Sequence, residues 1–449
     1  MADHAVSDHP AVQTQLDRLA ALSPGRDILG LERITELCRR LGDPQLALPP
    51  VFHVAGTNGK GSTCAYLRAA LEAEGHAVHV FTSPHLVRFN ERIRLAGHLV
   101  DDAALASALE QVLDVGGDLQ ASFFEVTTAA AFLLFATVPA DACVIEVGLG
   151  GRLDATNVVA APAACGIASL AIDHEAFLLA PDEAVPVDPF DRIAFEKAGI
   201  AKPGAPLITQ RYAASMRQVV ADVAAHAGAT HLPRGEAWDI AEYQGELHYR
   251  DMEGVLHLPM PRLAGQHQIA NLGLALAMLR HQRALPVSEA ALRAAPLWAY
   301  WPARMQRLEG GPLNDLLPDR TIFLDGGHNP DAGQAIAATL VAQGLIETGF
   351  DLVTGMLANK DVKGFLEPLR PLIRSIRSLP VPGHDHHGPE TFAAIADRWH
   401  LPHKAFDTVT QALRDIAATH GTPPERPVLI AGTLYLAGQV LVANDQPPV

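Results

Sequence analysis

Short apolar runs alternate with longer amphipathic stretches along most of this chain. Val51–Val54 precedes a helical pattern over Ser62–Glu74, Ala142–Val147 forms a second buried run, and Thr321–Leu324 leads into a helical stretch over Ala332–Ala342. Runs that are apolar at successive positions suit strands covered on both faces, so the pattern predicts an α/β fold with parallel sheets between layers of helices. A further short strand is expected over Gly166–Ile172. The segment Pro296–Pro302, with two tryptophans and two prolines, interrupts the alternation and places a domain junction there. Beyond it the pattern restarts at Asp351–Thr354, Arg377–Leu379 and Val428–Ala431, each followed by a helix. Domains of 1–298 and 299–449 follow. Within the first, Gly235–His257 alternates between apolar and polar residues around two glycines and predicts a small antiparallel ribbon. The acidic, proline-rich stretch Ala180–Asp191 reads as a surface loop.

Length supports the division. A chain of 449 residues exceeds the roughly 250–300 residues at which one hydrophobic core stops growing. With 49% hydrophobic and 19% charged residues, there is ample apolar side chain for burial. A net charge of −16 argues against a nucleic-acid or anionic-membrane partner, both of which need an extended basic surface. Any anionic ligand must therefore be met by local cations, a metal or backbone N–H groups. Cys38, Cys64, Cys143 and Cys165 show no C-x-x-C spacing and lie in apolar stretches, which reads as buried free thiols in a reducing cytoplasm. Met1–Pro10 lacks the basic and apolar regions of a signal peptide, and no apolar run reaches the roughly 18 residues needed to span a bilayer.

The chemistry starts at Val51-Phe52-His53-Val54-Ala55-Gly56-Thr57-Asn58-Gly59-Lys60-Gly61-Ser62-Thr63, a strand, a glycine-rich turn and a helix start. Such a turn directs N–H groups inward, the helix terminus adds partial positive charge, and Lys60 adds a full one, so the segment suits nucleotide phosphates. Asn58, Gly59, Lys60, Gly61 and Ser62 are the candidate contacts, with Ser62 or Thr63 offering a hydroxyl near a metal. The spacing differs from the standard phosphate loop, because Val54 stands at the first glycine position and Gly61 follows the lysine. Other segments have two readings by residue chemistry alone. Ser83-Pro84-His85-Leu86 is a post-strand turn or an anion site. Ser122-Phe123-Phe124-Glu125 forms a helix capping box or an aromatic ligand wall. Glu146, at a strand's carboxyl end, holds a cation or pairs with Arg152. Asn271 caps a helix or reaches a ligand.

These motifs, in this order, resemble the folylpolyglutamate synthase and dihydrofolate synthase branch of the Mur-ligase superfamily, from about Asp27 to the last helix. The resemblance implies an N-terminal P-loop-type parallel-sheet ATPase domain and a smaller, Rossmann-like C-terminal α/β domain that closes over the ATP site. It implies Mg2+ held by Ser83, Glu146 and His174, with Lys197 as a further oxygen ligand if carbamylated. Lys60, Glu146, His174 and Lys197 would be catalytic. Nucleotide contacts would extend to Asn271 and to Arg304, Asp325 and His328 of the second domain. Ile28, Leu29, Gly30, Leu31, Ser122, Phe123, Phe124, Glu125, Arg152, Leu153, Asp154 and Ala155 would line the pterin and folate cleft. The implied activity is ATP-dependent ligation of L-glutamate to dihydropteroate and to tetrahydrofolate through an acyl phosphate, by a cytoplasmic monomer. A monofunctional polyglutamylating enzyme, another Mur-type ligase and a non-catalytic nucleotide switch are the alternatives. His384-Asp385-His386-His387 is read as a mobile polar loop rather than a metal site, since no spaced partner completes it.

Overall fold

A computed structural model describes residues 5–22, 29–173, 175–179, 185–419 and 426–448. They form two units, one of Met1–Arg262 with Gln268–Tyr300 and one of Leu263–His267 with Trp301–Val449.

Eight strands make the first unit's main sheet: β1 (Val51–Ala55), β2 (Val78–Phe81), β3 (Ile93–Leu95), β4 (His98–Leu99), β5 (Ala142–Glu146), β6 (Ala164–Ile167), β7 (Pro206–Thr209) and β8 (Thr230–Pro233). Their order is β4-β3-β2-β5-β1-β6-β7-β8. Six of them run parallel, while β3 and β4 add an antiparallel edge that the apolar-run pattern did not anticipate. Every residue of β1 and β5 is buried, as strands covered on both faces require. The connection from β1 runs to β2 on one side and that from β5 runs to β6 on the other, so the order reverses here, and the crevice at the carboxyl ends of these strands is where open α/β sheets bind ligands.

Helix Phe123–Thr137 is apolar almost all round and largely buried. Its Phe132 and Phe135 join Leu16, Leu37, Leu105 and Leu109 in one core, and full burial of each such side chain is worth about 1.5–3 kcal/mol. The expected ribbon is present as β9 (Trp238–Tyr243), β10 (Glu246–Asp251) and β11 (Gly254–Leu258), paired antiparallel. Trp238, Ile240, Leu247, Tyr249, Leu256 and Leu258 form its buried face. Arg280 of helix Gln266–His281 holds it through two bonds to the Asp251 carboxylate, at 2.6 and 2.8 Å.

In the second unit the strands are β12 (Gln306–Arg307), β13 (Ile322–Asp325), β14 (Phe350–Thr354), β15 (Ile373–Ser378), β16 (His403–Ala405) and β17 (Val428–Ala431), ordered β12-β13-β17-β14-β15-β16. All pair in parallel except β12, and the last strand of the chain completes the middle of the sheet.

Three local expectations need correction. The strand expected over Gly166–Ile172 is confined to Ala164–Ile167, because the backbone beyond it turns to bond the phosphate loop. Residues 180–184 of the acidic stretch lie outside the described residues, and its last part is helical: Asp188 caps helix Pro189–Ala198 by accepting from the Phe190 and Asp191 N–H groups. His384–His387 is a fixed segment, tied by the Met356 and Lys360 carbonyls and by stacking of His384 on Tyr435 at 3.8 Å. All four cysteines are buried and free, and no described helix is long and apolar enough to cross a membrane.

Candidate active site

At the end of β1 the chain turns through Gly56 and Gly59 into helix Lys60–Glu74. Gly59 has φ +87°, and a Cβ there would sit 2.3 Å from the Asn271 Oδ1, so both conformation and space call for glycine. The loop is fastened from the side by the chain that leaves β6. Thr57 donates its N–H to the Ser169 carbonyl at 2.7 Å and its hydroxyl to the Ala171 carbonyl at 2.8 Å, and the Asn58 N–H reaches the Ser169 hydroxyl at 3.2 Å. Thr57 and Ser169 were not singled out from sequence; a hydroxyl just past an apolar strand was the only local signal. Thr63 spends its hydroxyl on the Gly59 carbonyl at 2.9 Å, which leaves Ser62 as the hydroxyl available to a metal. Ser62 in turn accepts from Gln268 Nε2 at 3.3 Å, and Gln268 accepts from Asn271 Nδ2 at 3.2 Å. Asn271 lies in the second turn of helix Gln266–His281, so it does not cap that helix.

Two lysines converge on the loop. Lys60 donates to the Gly56 and Thr57 carbonyls at 3.0 and 3.2 Å, and Lys197, from the last turn of helix Pro189–Ala198, donates to the same Gly56 carbonyl at 3.0 Å. Burial pulls the Lys197 amine down to about 7, and the Lys60 charge pushes the same way. Glu146 is buried at the carboxyl end of β5, opposite Val54 in the register, and accepts the Ser83 N–H at 3.3 Å. Glu146, Ser83 and Ser62 thus offer hard oxygen donors at the sheet edge that carries the loop, a donor set suited to Mg2+. Arg152 pairs with Glu196 at 2.9 Å.

Asp154 turns inward. It accepts from the Leu149 N–H, the Thr156 N–H and the Thr156 hydroxyl, and that hydroxyl also meets buried His53 at 2.8 Å. Burial raises the Asp154 carboxyl above its usual range and lowers His53 to about 3. Ser122 and Glu125 make the expected capping box, and Glu125 also accepts from Arg33 at 3.1 Å. Phe123 is buried in the core. Phe124 is partly exposed and lies across Gly148, where a Cβ would approach its ring to 2.4 Å. Leu29, Gly30, Leu31 and Leu153 are partly exposed, and Ala155 is buried. Ile28 and His174 lie outside the described residues. In the Ser83 turn, Glu91 accepts from the Leu86, Val87 and Arg88 N–H groups, while His85 accepts from Arg92 at 2.9 Å.

In the second unit, Asp325 ends β13 and accepts from the Met305 and Gly327 N–H groups, both at 2.7 Å, which joins the Arg304 turn to the His328 turn. Ala303 sits at φ +55°, a region glycine occupies with less strain. Arg304 bonds the Ala303 carbonyl at 2.8 Å, His328 meets the Gly326 carbonyl at 3.0 Å, and Asn329 caps helix Pro330–Ala342.

A strand–turn–helix phosphate loop at the switch point of a parallel sheet, with a lysine inside it and a buried carboxylate beside it, defines a nucleotide-dependent α/β enzyme. No family model matches the chain. It is 36% identical over 420 residues to the dihydrofolate synthase/folylpolyglutamate synthase of Escherichia coli K12, covering 93% of this chain and 92% of the relative. Its fold matches E. coli FolC in complex with DHPP and ADP with a TM-score of 0.83 at 32% identity, over 98% of each chain. It also matches a bifunctional folylpolyglutamate synthase/dihydrofolate synthase with Mn, AMPPNP and L-glutamate bound, with a TM-score of 0.81 at 32% identity, over 96% of this chain and 97% of that one. The chain belongs to the dihydrofolate synthase/folylpolyglutamate synthase family of ATP-dependent ligases.

Proposed function

We propose that this enzyme joins the amino group of L-glutamate to the carboxyl group of dihydropteroate, and extends tetrahydrofolate in the same way, at the expense of ATP. A carboxylate oxygen of the folate substrate attacks the γ-phosphorus and ADP leaves. The glutamate nitrogen then attacks the acyl phosphate carbonyl, and inorganic phosphate and a proton depart. The observation that carries this reading is the meeting of Lys60 and Lys197 on the Gly56 carbonyl, at the same sheet edge as Glu146. Lys60 brings a cation to where negative charge must be received, and Lys197, its amine lowered to about 7, stands beside it, in a chain whose overall charge is −16.

Lys60 swings from the loop carbonyls to the transferring phosphoryl group, and the loop N–H groups and Ser62 hold the remaining phosphate oxygens. Glu146, Ser83 and Ser62, with His174, would hold Mg2+, which supplies charge neutralisation at the β- and γ-phosphates. An amine lowered to about 7 is partly neutral at physiological pH, so Lys197 is able to take up carbon dioxide and become an oxygen ligand. Asn58, Gly59, Gly61 and Asn271 belong to the nucleotide side. Arg304, Asp325 and His328 are assigned to the nucleotide through their motifs. Leu29–Leu31, Ser122–Glu125 and Arg152–Ala155 are assigned to the pterin and folate, with the partly exposed ring of Phe124 as the stacking surface. Four buried thiols accord with a cytoplasmic protein, and a monomer is the assembly assigned to it.

The test is ADP release and product formation by the purified protein with ATP, Mg2+ and L-glutamate, supplied with dihydropteroate or with tetrahydrofolate. Product from both supports the bifunctional enzyme. Product from tetrahydrofolate alone makes it a monofunctional polyglutamylating enzyme, and ADP release indifferent to folate and glutamate makes it a nucleotide switch.

A further inference from the structure

The outer face of the three-stranded ribbon carries side chains that the ligase reading does not use. Alternation along β10 buries Leu247 and Tyr249 and turns Glu246, His248 and Arg250 outward; on β11 it buries Leu256 and Leu258 and turns His257 outward. The antiparallel register sets His248 directly opposite His257, with ring centroids 4.5 Å apart and the rings edge-on. Glu246 precedes His248 by two residues on the same face, and one donor atom from each of the three lies within 4.8 Å of the others.

We propose that Glu246, His248 and His257 bind a divalent transition ion of the zinc class. Two imidazoles and one carboxylate suit zinc, nickel or copper, whereas Mg2+ prefers sets made wholly of oxygen. Three protein donors leave a fourth, tetrahedral position for water. The scaffold is rigid, because β10 pairs on both sides and its buried face is held by Trp238 stacked on Tyr249 and by the Arg280–Asp251 pair. Across β9, His248 faces the small Ala241, and the Tyr243 ring packs edge-on against it at 5.6 Å, which fixes its plane while leaving room beside it. Arg250 of β10 lies 3.8 Å from the Asp239 carboxylate, and Arg293 donates to the His257 carbonyl at 3.2 Å, which leaves the imidazole uninvolved in that bond. An ion that joins β10 to β11 binds the folded chain more tightly than the unfolded one, so it raises stability with the logarithm of its concentration above Kd.

The test is calorimetric titration of the full chain with zinc in excess Mg2+, beside thermal melts with zinc and with chelator. One zinc bound by the ribbon, with a melting temperature raised by zinc, is expected. H248Q and H257Q should each weaken that binding by at least about tenfold and lose the zinc-induced rise, since even outer-shell changes cost that much. Both variants should melt like the wild type in chelator, which separates lost ligation from lost fold. H386Q, in the other histidine-rich segment, should bind zinc as the wild type does. Zinc binding unchanged in H248Q and H257Q, or lost in H386Q alone, overturns the proposal.

Discussion

Lys60 and Lys197 donate to one acceptor, the Gly56 carbonyl, each at 3.0 Å. Burial, and after it the repulsion between two ammonium groups on one oxygen, makes Lys197 hold its proton less tightly. K60A should therefore act twice. It removes the loop's mobile cation, so ligase kcat should fall by at least about a hundredfold, the scale of losing one donor to a developing anion. It also removes a positive neighbour, so the Lys197 amine should titrate higher, which 15N-detected titration of the lysine side chain would read.

Lys197 also links stability to pH. Its folded value of about 7 lies below the ordinary value of 10.5, so between these limits the unfolded chain binds the proton that the folded chain has released. More protons on the unfolded state mean that this group's contribution rises with pH across that window, with a limiting slope of about 1.4 kcal/mol per pH unit. Below about pH 7 both states are protonated and the cost of burial is constant. In K197M the slope between pH 7 and 10 should flatten, and the variant should be more stable than the wild type at pH 7. Denaturant melts at several pH values check both.

His53 gives the complementary case at lower pH. Its folded value of about 3 against 6.5 means that the unfolded chain alone takes up a proton between those values, so stability should fall as pH drops through that range. H53Q should lose that component of acid sensitivity, seen as a shallower decline of melting temperature from pH 6 to pH 4.

Gly59 tests space and conformation separately. G59A should destabilise the first unit by about 1–3 kcal/mol, through the positive φ and the collision with Asn271. Adding N271A removes the collision and leaves the φ cost of about 1–2 kcal/mol. The double variant should then be less damaged than the sum of the single variants, in a denaturant-based cycle.

Ser122 caps helix Phe123–Thr137 from its buried end. S122A should cost about 1 kcal/mol in the same assay. Should stability stay within a few tenths of the wild type, the capping box contributes little.

The phosphate loop was legible from sequence because strand, turn, lysine and helix are contiguous, so one window of residues contains the whole device. Glu146 was legible as a strand-end carboxylate for the same reason. Lys197 reaches Gly56 across 141 positions, and Gln268 reaches Ser62 across 206, distances over which no local periodicity reports. Those contacts follow from the order of the strands, which helical and strand periods leave undetermined. The strand expected over Gly166–Ile172 stops at Ile167 because Ala168–Ile172 is apolar enough to read as strand while its backbone groups are committed to Thr57 and Asn58. Asn271 misled for a related reason: the helix starts at Gln266, one turn before the asparagine, which leaves Asn271 to pack under Gly59. The 188–191 stretch shows the reverse case, in which Asp-Pro reads as a loop by composition and serves as a helix start by geometry.

The union of Arg152 with Glu196 reaches further than an ion pair. The Arg152 N–H also bonds the Glu196 carbonyl at 2.7 Å, and Asn157 clasps the Arg152 and Gly199 carbonyls from the other side. Glu196 is the residue before Lys197, so the 152–157 turn and the amine that donates to Gly56 are anchored on the same helical turn. A group that contacts Arg152 is therefore two polar contacts, Arg152 to Glu196 and Lys197 to Gly56, from the carbonyl at which the phosphate loop begins to turn.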